Sequence, residues 1–395
     1  MRTVLVIGGG VIGCAVALEL VRRGNKVTVL ERGPSGGEGA RSSGGRAGTD
    51  ELARGPIGST AAAGILGAQL EGLHGDGPLS RLCLASRALY PAWERTIREL
   101  SGRDIELRPA GVTVVALDPA RLRALEDAVV WQERAGLPIE RLDATALAAV
   151  EPSLSREAVG GVRFTEDARV DPPSLLAALR IAIERSGGIL RSGASVSRII
   201  VRGGRAAGVA LEDGTTLEAS AVVVSAGSWS TLIGETALAE GAMAPARGQI
   251  VELKLPSPVL RGVVEGPACY LSPRDDGRVL VGSTIELVGF EPGTTAKAIR
   301  DLLSAALHLA PALDGATLRR AWSGFRPRAL DESPLLGGVG VEGLVVATGH
   351  YRNGVLLAPI TGAIVAAHLG GEAAPVDLSS FDPRRRMMPV PVAPT

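Results

Sequence analysis

The sequence predicts an α/β chain in which a doubly wound parallel-sheet domain is joined to a second, mostly antiparallel one. Three observations carry this. A glycine-punctuated strand–turn–helix–strand unit opens the chain over residues 3–31. Short apolar strands, of the kind buried on both faces, recur at 3–7, 27–30, 221–225 and 343–347. Between these returns, blocks at 103–165 and 240–322 alternate apolar and polar residues, as in Gly248-Gln249-Ile250-Val251-Glu252-Leu253 and Gly277-Arg278-Val279-Leu280-Val281-Gly282. That is the pattern of antiparallel strands with one wet face. The chain is therefore read as a discontinuous domain of 1–102, 166–239 and 323–376, and a second domain of 103–165 and 240–322. The proline- and arginine-rich tail at 377–395 is expected to be partly disordered.

In order along the chain, Thr3-Val4-Leu5-Val6-Ile7 is a buried-type strand. Gly8-Gly9-Gly10-Val11-Ile12-Gly13 follows, with glycine at the first, third and sixth places. Cys14 to Arg23 reads as an apolar helix closed by Gly24, and Val27 to Leu30 as a second strand ending on Glu31. This is the Rossmann dinucleotide fingerprint in its required context. Gly8 allows the tight turn, Gly10 lets a pyrophosphate approach, and Gly13 packs helix on strand. Glu31 would accept hydrogen bonds from ribose hydroxyls and repel a 2′-phosphate. Residues 33–58, rich in Gly, Ser and Arg, read as a long flexible loop. A small-residue turn, Ser59 to Gly67, comes next.

Helices are expected at 79–100, 119–135, 143–150 (capped by Asp143) and 171–185, the last with proline in its first turn. Strands are expected at 105–107 and 111–117, and a hairpin turns about Asp213-Gly214.

Composition fits a soluble enzyme. The 395 residues suffice for two cores, and 42 basic against 42 acidic residues give a formal net charge of 0. Neither nucleic acid nor an anionic membrane is favoured electrostatically. Cys14, Cys83 and Cys269 are far apart and form no CxxC pair, and the four histidines show no metal-pair spacing. This points to a reducing cytoplasm without disulfides or metal. No stretch reads as a membrane span or a signal peptide. The oligomeric state is left open, a homo-oligomer included.

Near the C-terminus, Gly349-His350-Tyr351-Arg352-Asn353-Gly354 stands where an apolar strand gives way to an apolar helix, Ile360 to Leu369. In open α/β sheets ligands sit at such handovers. Glycines there admit close backbone approach, and a helix start offers free N–H groups. On its own, the loop fits an ordinary polar connection equally well.

Taken together with Ser59-Thr60-Ala61-Ala62-Ala63-Gly64, Ser225-Ala226-Gly227-Ser228-Trp229, Cys269-Tyr270-Leu271-Ser272-Pro273-Arg274 and a turn at Gly324-Phe325-Arg326-Pro327, these motifs resemble the D-amino-acid oxidase family of FAD enzymes. Within that family they resemble its glycine-oxidizing bacterial branch of thiamine biosynthesis. The resemblance runs from Thr3 to about Arg385. It implies a Rossmann-type FAD-binding domain with an antiparallel β substrate domain, non-covalent FAD, oxidation of a small amino acid or amine to an imine, and hydrogen peroxide from O2.

The resemblance also implies roles. Gly8, Gly10, Val11, Ile12, Gly13, Glu31 and Arg32 match positions around pyrophosphate and ribose. Ser59, Thr60, Ala63, Gly64 and Ile65 match the turn under the flavin. Val196 matches a backbone contact to adenine, and His350, Tyr351, Arg352, Asn353, Gly354, Val355 and Leu356 match the loop along the flavin ring. Arg326 matches the arginine that forks onto the substrate carboxylate, which a planar guanidinium suits. Arg352 matches a second cationic contact and Tyr270 a hydroxyl facing the substrate. Two positions depart from the branch: Ala268 stands where a polar residue is expected, and Ile285 where methionine is expected.

Rival classes are a D-amino-acid dehydrogenase passing electrons to a quinone, a covalent-flavin amine oxidase, a nicotinamide dehydrogenase and a non-catalytic flavin binder. The covalent type would need a cysteine between Arg326 and Gly338, where there is none.

Overall fold

The structure is a computed structural model that describes residues 1–33 and 58–385. Most of the loop read at 33–58, and the tail beyond 385, lie outside the described residues. Five parallel strands and one antiparallel edge strand make a six-stranded sheet, in the order Leu335–Gly338, Leu344–Thr348, Ala221–Val224, Thr3–Ile7, Lys26–Glu31, Ile189–Ser192. Its side chains alternate between two cores. Val4, Val6, Val27, Val29 and Val223 pack with the helices Val11–Arg22, Pro78–Ser101, Pro172–Arg185 and Ala358–Gly370. Leu5, Ile7, Leu30, Val222 and Val224 pack with Ile199, Val209 and Leu211 of a three-stranded antiparallel sheet. Burial on both faces is why these strands carry no polar alternation.

The second sheet has eight strands, drawn from both alternating blocks: Thr317–Ala329, Met243–Lys254, Arg278–Gly282, Tyr270–Pro273, Val263–Glu265, Val112–Ala116, Gly160–Phe164, Glu140–Asp143. All neighbours are antiparallel except Val263–Glu265 against Val112–Ala116. The helix Ala296–Leu309, capped by the Thr295 hydroxyl, closes its core through Leu302, Ala306 and Leu309.

Three local readings are corrected. Gly324-Phe325-Arg326-Pro327 is not a turn; it lies within the 13-residue strand Thr317–Ala329, so the boundary placed at 322/323 cuts that strand. This strand is an edge of its sheet, where a proline's missing N–H is tolerated. Residues 105–107 form no strand, because Glu106 adopts a left-handed φ of 56°. The helix read at 119–135 is two, Pro119–Ala128 and Val130–Arg134. In the tail, Phe381 is buried and Arg385 pairs with Asp331 at 2.6 Å, so order continues to the last described residue.

A buried cation ties the second sheet to the turn at Ala63 and to a helix packed on the first. Arg274 is 1% exposed. It donates to the Ala63 carbonyl (2.7 Å) and the Ser272 hydroxyl (2.9 Å), and faces the Asp171 carboxylate at 3.4 Å. Asp171 in turn caps the helix Pro172–Arg185 through the Ser174 N–H. Arg274→Ala should therefore cost about 3–5 kcal/mol in equilibrium urea unfolding, the scale of stripping one partner from a buried ion pair. A loss below about 1 kcal/mol, within the range of an ordinary hydrogen bond, would show that the joint does not depend on this residue.

Candidate active site

A cavity of about 960 Å³ opens at the carboxyl ends of the parallel strands and continues onto the eight-stranded sheet. That is the upper end of the roughly 300–1,000 Å³ of ligand pockets. Gly8, Gly10, Val11 and Ile12 line it, so the first helix points its N-terminus inward. Gly13 does not line it. A Cβ there would overlap the Gly8 carbonyl oxygen, which makes its role close packing of the turn. Ser59 accepts the Val11 N–H on its hydroxyl at 2.9 Å and so caps this helix from a distant segment. Glu31 lines the cavity while its two oxygens accept the Gly9 and Gly33 N–H groups at 2.7 and 2.8 Å. Arg180, which the sequence reading missed, donates to the Gly9 carbonyl from the neighbouring helix at 3.1 Å. Arg32 also lines the wall, its guanidinium 4.6 Å from the centre of the Trp229 ring, and Val196 stands nearby.

Ala63, Gly64 and Ile65 line the cavity below the joint. The Val170 N–H donates to the Gly64 carbonyl, and the Trp322 indole N–H to that of Ala61. Thr60 is exposed and does not line the cavity.

The loop after Leu344–Thr348 supplies His350 to Val355. Tyr351 is held at a left-handed φ of 47°, the kind of strain that clusters at binding loops. The hydroxyls of Ser86 and Tyr90, on the helix Pro78–Ser101, donate to the carbonyls of Leu356 and Val355 and fix the loop's far end. Leu356 itself points into the core and not the cavity. His350 is buried, its Nε2 3.0 Å from the Thr361 hydroxyl, and burial lowers its pKa to about 3. Burial thus favours the neutral imidazole. Arg352 faces Glu71 at 3.4 Å and leans on its neighbour Tyr351.

On the sheet side, one cross-strand row forms the floor. Pairing sets Val114, Glu265, Tyr270, Gly282 and Ile250 opposite one another in turn, and all five line the cavity. Tyr270 lies over Gly282, where a Cβ would strike its hydroxyl, and Arg326 lies over Gly248 in the same way. Arg326 donates to the Thr284 carbonyl (3.0 Å) and the Ser283 hydroxyl (2.6 Å). Among the described residues it has no carboxylate partner. Ala268 and Ile285 both line the cavity, Ile285 at 55% exposure. Glu265, Arg121, Glu71 and His74 line it too and were not singled out in the sequence. Only cross-strand pairing and the fold of the 68–128 region bring them there. Burial pushes the Cys269 thiol, also on the wall, up to about 12, so it remains a thiol.

A helix N-terminus and a turn too tight for side chains offer N–H donors to a pyrophosphate, and an acid at the end of the second strand offers an acceptor to ribose hydroxyls, as a dinucleotide such as FAD requires. The comparisons agree. Residues 3–368 match the family model for FAD dependent oxidoreductases, and the chain belongs to that family. It is 34% identical over 387 residues to the glycine oxidase of Geobacillus kaustophilus, covering 97% of both chains. Its structure superposes on the crystal structure of the glycine oxidase from Geobacillus kaustophilus with a TM-score of 0.88 at 33% identity, over 98% and 99% of the two chains. It is also 32% identical over 385 residues to the bifunctional protein ThiO/ThiG of Trichormus variabilis, covering 96% of this chain but spanning only 54% of that relative. The expected fold, a Rossmann-type FAD-binding domain with an antiparallel β domain, is the one observed.

Two outcomes follow for the cofactor side. Glu31→Ala should weaken FAD binding by about 1–3 kcal/mol, the cost of one lost charged hydrogen-bond acceptor; FAD retention on dialysis would measure it, and unchanged affinity would remove Glu31 from the site. Below its ordinary pKa of 6.5, His350 binds a proton when unfolded but not when folded. Its contribution to stability is full above 6.5 and is lost as the pH falls toward 3. His350→Gln should flatten that part of the urea-stability profile against pH.

Proposed function

We propose that the chain is an FAD-dependent amino-acid oxidase of the glycine-oxidase type, acting on glycine, sarcosine or small D-amino acids. The observation that carries this is Arg326, a half-buried guanidinium in the cavity wall with donors tied to Ser283 and Thr284 and, among the described residues, no acid beside it. Guanidinium has five N–H donors, and a cation removed from water without a partner is costly. A substrate carboxylate supplies the partner, and the Ser283 and Thr284 contacts fix the fork that receives it. Tyr270 is held over Gly282 with burial raising its pKa, so it meets the substrate as a neutral hydroxyl. Arg352, already facing Glu71, serves as the weaker second cation.

Bound FAD supplies the two-electron acceptor for amine-to-imine oxidation and the route to O2, with hydrogen peroxide as co-product. The chain's own part is binding, orientation and exclusion of water. The fingerprint turn, Glu31, Arg32, Ser59, the Ala63–Ile65 turn, Val196 and the His350–Val355 loop would hold the cofactor, non-covalently since no cysteine stands between Arg326 and Gly338. The likeness to glycine oxidases and to the ThiO/ThiG proteins supports a place in thiamine biosynthesis. Work in the cytoplasm is part of this proposal, and no helix among the described residues is long and apolar enough to cross a membrane.

The purified protein should release yellow FAD when denatured and form peroxide stoichiometrically with imine when given glycine, sarcosine or D-alanine. Turnover only with an artificial acceptor and without peroxide would assign a dehydrogenase instead. Arg326→Ala should lower kcat/KM by roughly a hundred- to several thousandfold, the equivalent of about 3–5 kcal/mol, with FAD content unchanged. Arg326→Lys should recover only part, since an ammonium cannot fork. Native activity in Arg326→Ala would end the carboxylate-clamp assignment.

A further inference from the structure

Glu265 is a charged group in this cavity to which the oxidase chemistry assigns no task. It ends the strand Val263–Glu265, directly opposite Tyr270, and side chains directly opposite on antiparallel strands share a face. The carboxylate is half-buried and lines the cavity. Among the described residues it has no hydrogen-bond or ion-pair partner. In strand order, Tyr270 stands between it and Arg326, and both charges act on the tyrosine hydroxyl with opposite sign. The floor of the cavity thus carries an unpaired anion on one side of Tyr270 and a cation without an acid on the other. That arrangement is complementary to a zwitterion.

We propose that Glu265 recognises the amino end of the substrate, accepting a hydrogen bond from the ammonium group and then its proton. The N–H bond breaks, an O–H bond forms on Glu265, and the amine is left neutral with its lone pair free, the form that can be oxidised; the proton leaves to solvent with the product. This rests on the amino-acid oxidase reading and extends it to the second half of the substrate.

The surroundings suit such a role. Burial raises the Glu265 pKa to about 7 from 4.5, opposed by Arg352 and Arg121. Arg121 comes from the helix Pro119–Ala128, and Arg352 is partly neutralised by Glu71. His74 lines the same side of the cavity. Tyr270 and Cys269 face Glu265 from the next strand as neutral groups, and Val114 on the other side carries no charge. A carboxyl poised near neutrality can both hold and release a proton at working pH.

The test uses the FAD-loaded enzyme. The kcat/KM of the native protein for glycine or sarcosine should rise with pH through a limb near 7, as the carboxylate forms. Glu265→Gln should remove that limb and lower kcat/KM at pH 8 by about ten- to a hundredfold, the scale of one charge-assisted hydrogen bond. Glu265→Asp should keep the limb. Glycolate, which has the carboxylate but no amine, should perturb the flavin absorbance with equal affinity in the native and Gln proteins. Since the unfolded chain ionises this group more readily than the folded one, Glu265→Gln should be no less stable than the native protein at pH 8. An unchanged pH profile in Glu265→Gln overturns the proposal, as does an equal loss of glycolate binding or a drop in stability, which would mark Glu265 as structural. A native protein that binds FAD and glycolate but oxidises no amino acid would instead bring down the oxidase reading, and the proposal with it.

Discussion

The buried guanidinium of Arg274 ties together two sheets of opposite character that share one crevice. Arg274 follows the strand that carries Tyr270, yet its donors end on the Ala63 carbonyl, in the turn beneath the proposed flavin site, and on Asp171, which starts a helix of the parallel-sheet domain. Burying a guanidinium is favourable only when its donors are met. Here they are met by groups from both domains, so the satisfied geometry and the closed joint are the same state. The distance between the cavity floor and the Ala63 turn is then set by hydrogen-bond lengths and not by loop flexibility. The Trp322 indole, bound to the Ala61 carbonyl, fixes the same turn from a second strand.

The cavity floor follows from register. A one-residue slip of Val263–Glu265 against Tyr270–Pro273 would turn Glu265 to the other face. The register holds because Val264 and Leu271, paired in the next row, belong to the buried core with Val251 and Val281. Core packing on one face of this sheet therefore dictates which polar side chains stand on the other.

This explains what the sequence does and does not disclose. The fingerprint is legible because its chemistry is local: strand, turn, helix and acid all fall within residues 3–31, and each glycine has a steric reason to be there. The four apolar strands are legible because both their faces are buried. The two remaining strands of that sheet are edges with weaker patterns: Ile189 is 60% exposed, and Leu335–Gly338 ends on two glycines. Arg326 is legible through family resemblance, though in the wrong local setting, since Pro327 suggests a turn until an edge strand places it opposite Pro245. Glu265 was not legible. Nothing within five residues of it signals chemistry except Tyr270, and their adjacency exists only across a ladder.

The charges in the cavity differ in how far the fold itself satisfies them. Arg352 has Glu71, and Glu31 has two backbone N–H groups, so both are positioned whether or not a ligand is bound. Arg326 and Glu265 could neutralise each other only by contact, and their strands are separated by three others, that of Tyr270 among them. Arg326 then has only the neutral acceptors Thr284 and Ser283, and Glu265 has no partner among the described residues, so neither charge is balanced by the protein alone. Filling the row with apolar side chains would relieve that cost, as it does for many buried ion pairs. A floor that keeps a cation and an anion apart, with Gly248 and Gly282 making room for the Arg326 and Tyr270 side chains, is matched by a small molecule that itself carries both charges. The same spacing disfavours a simple carboxylate or a simple amine, each of which would leave one end of the row unsatisfied.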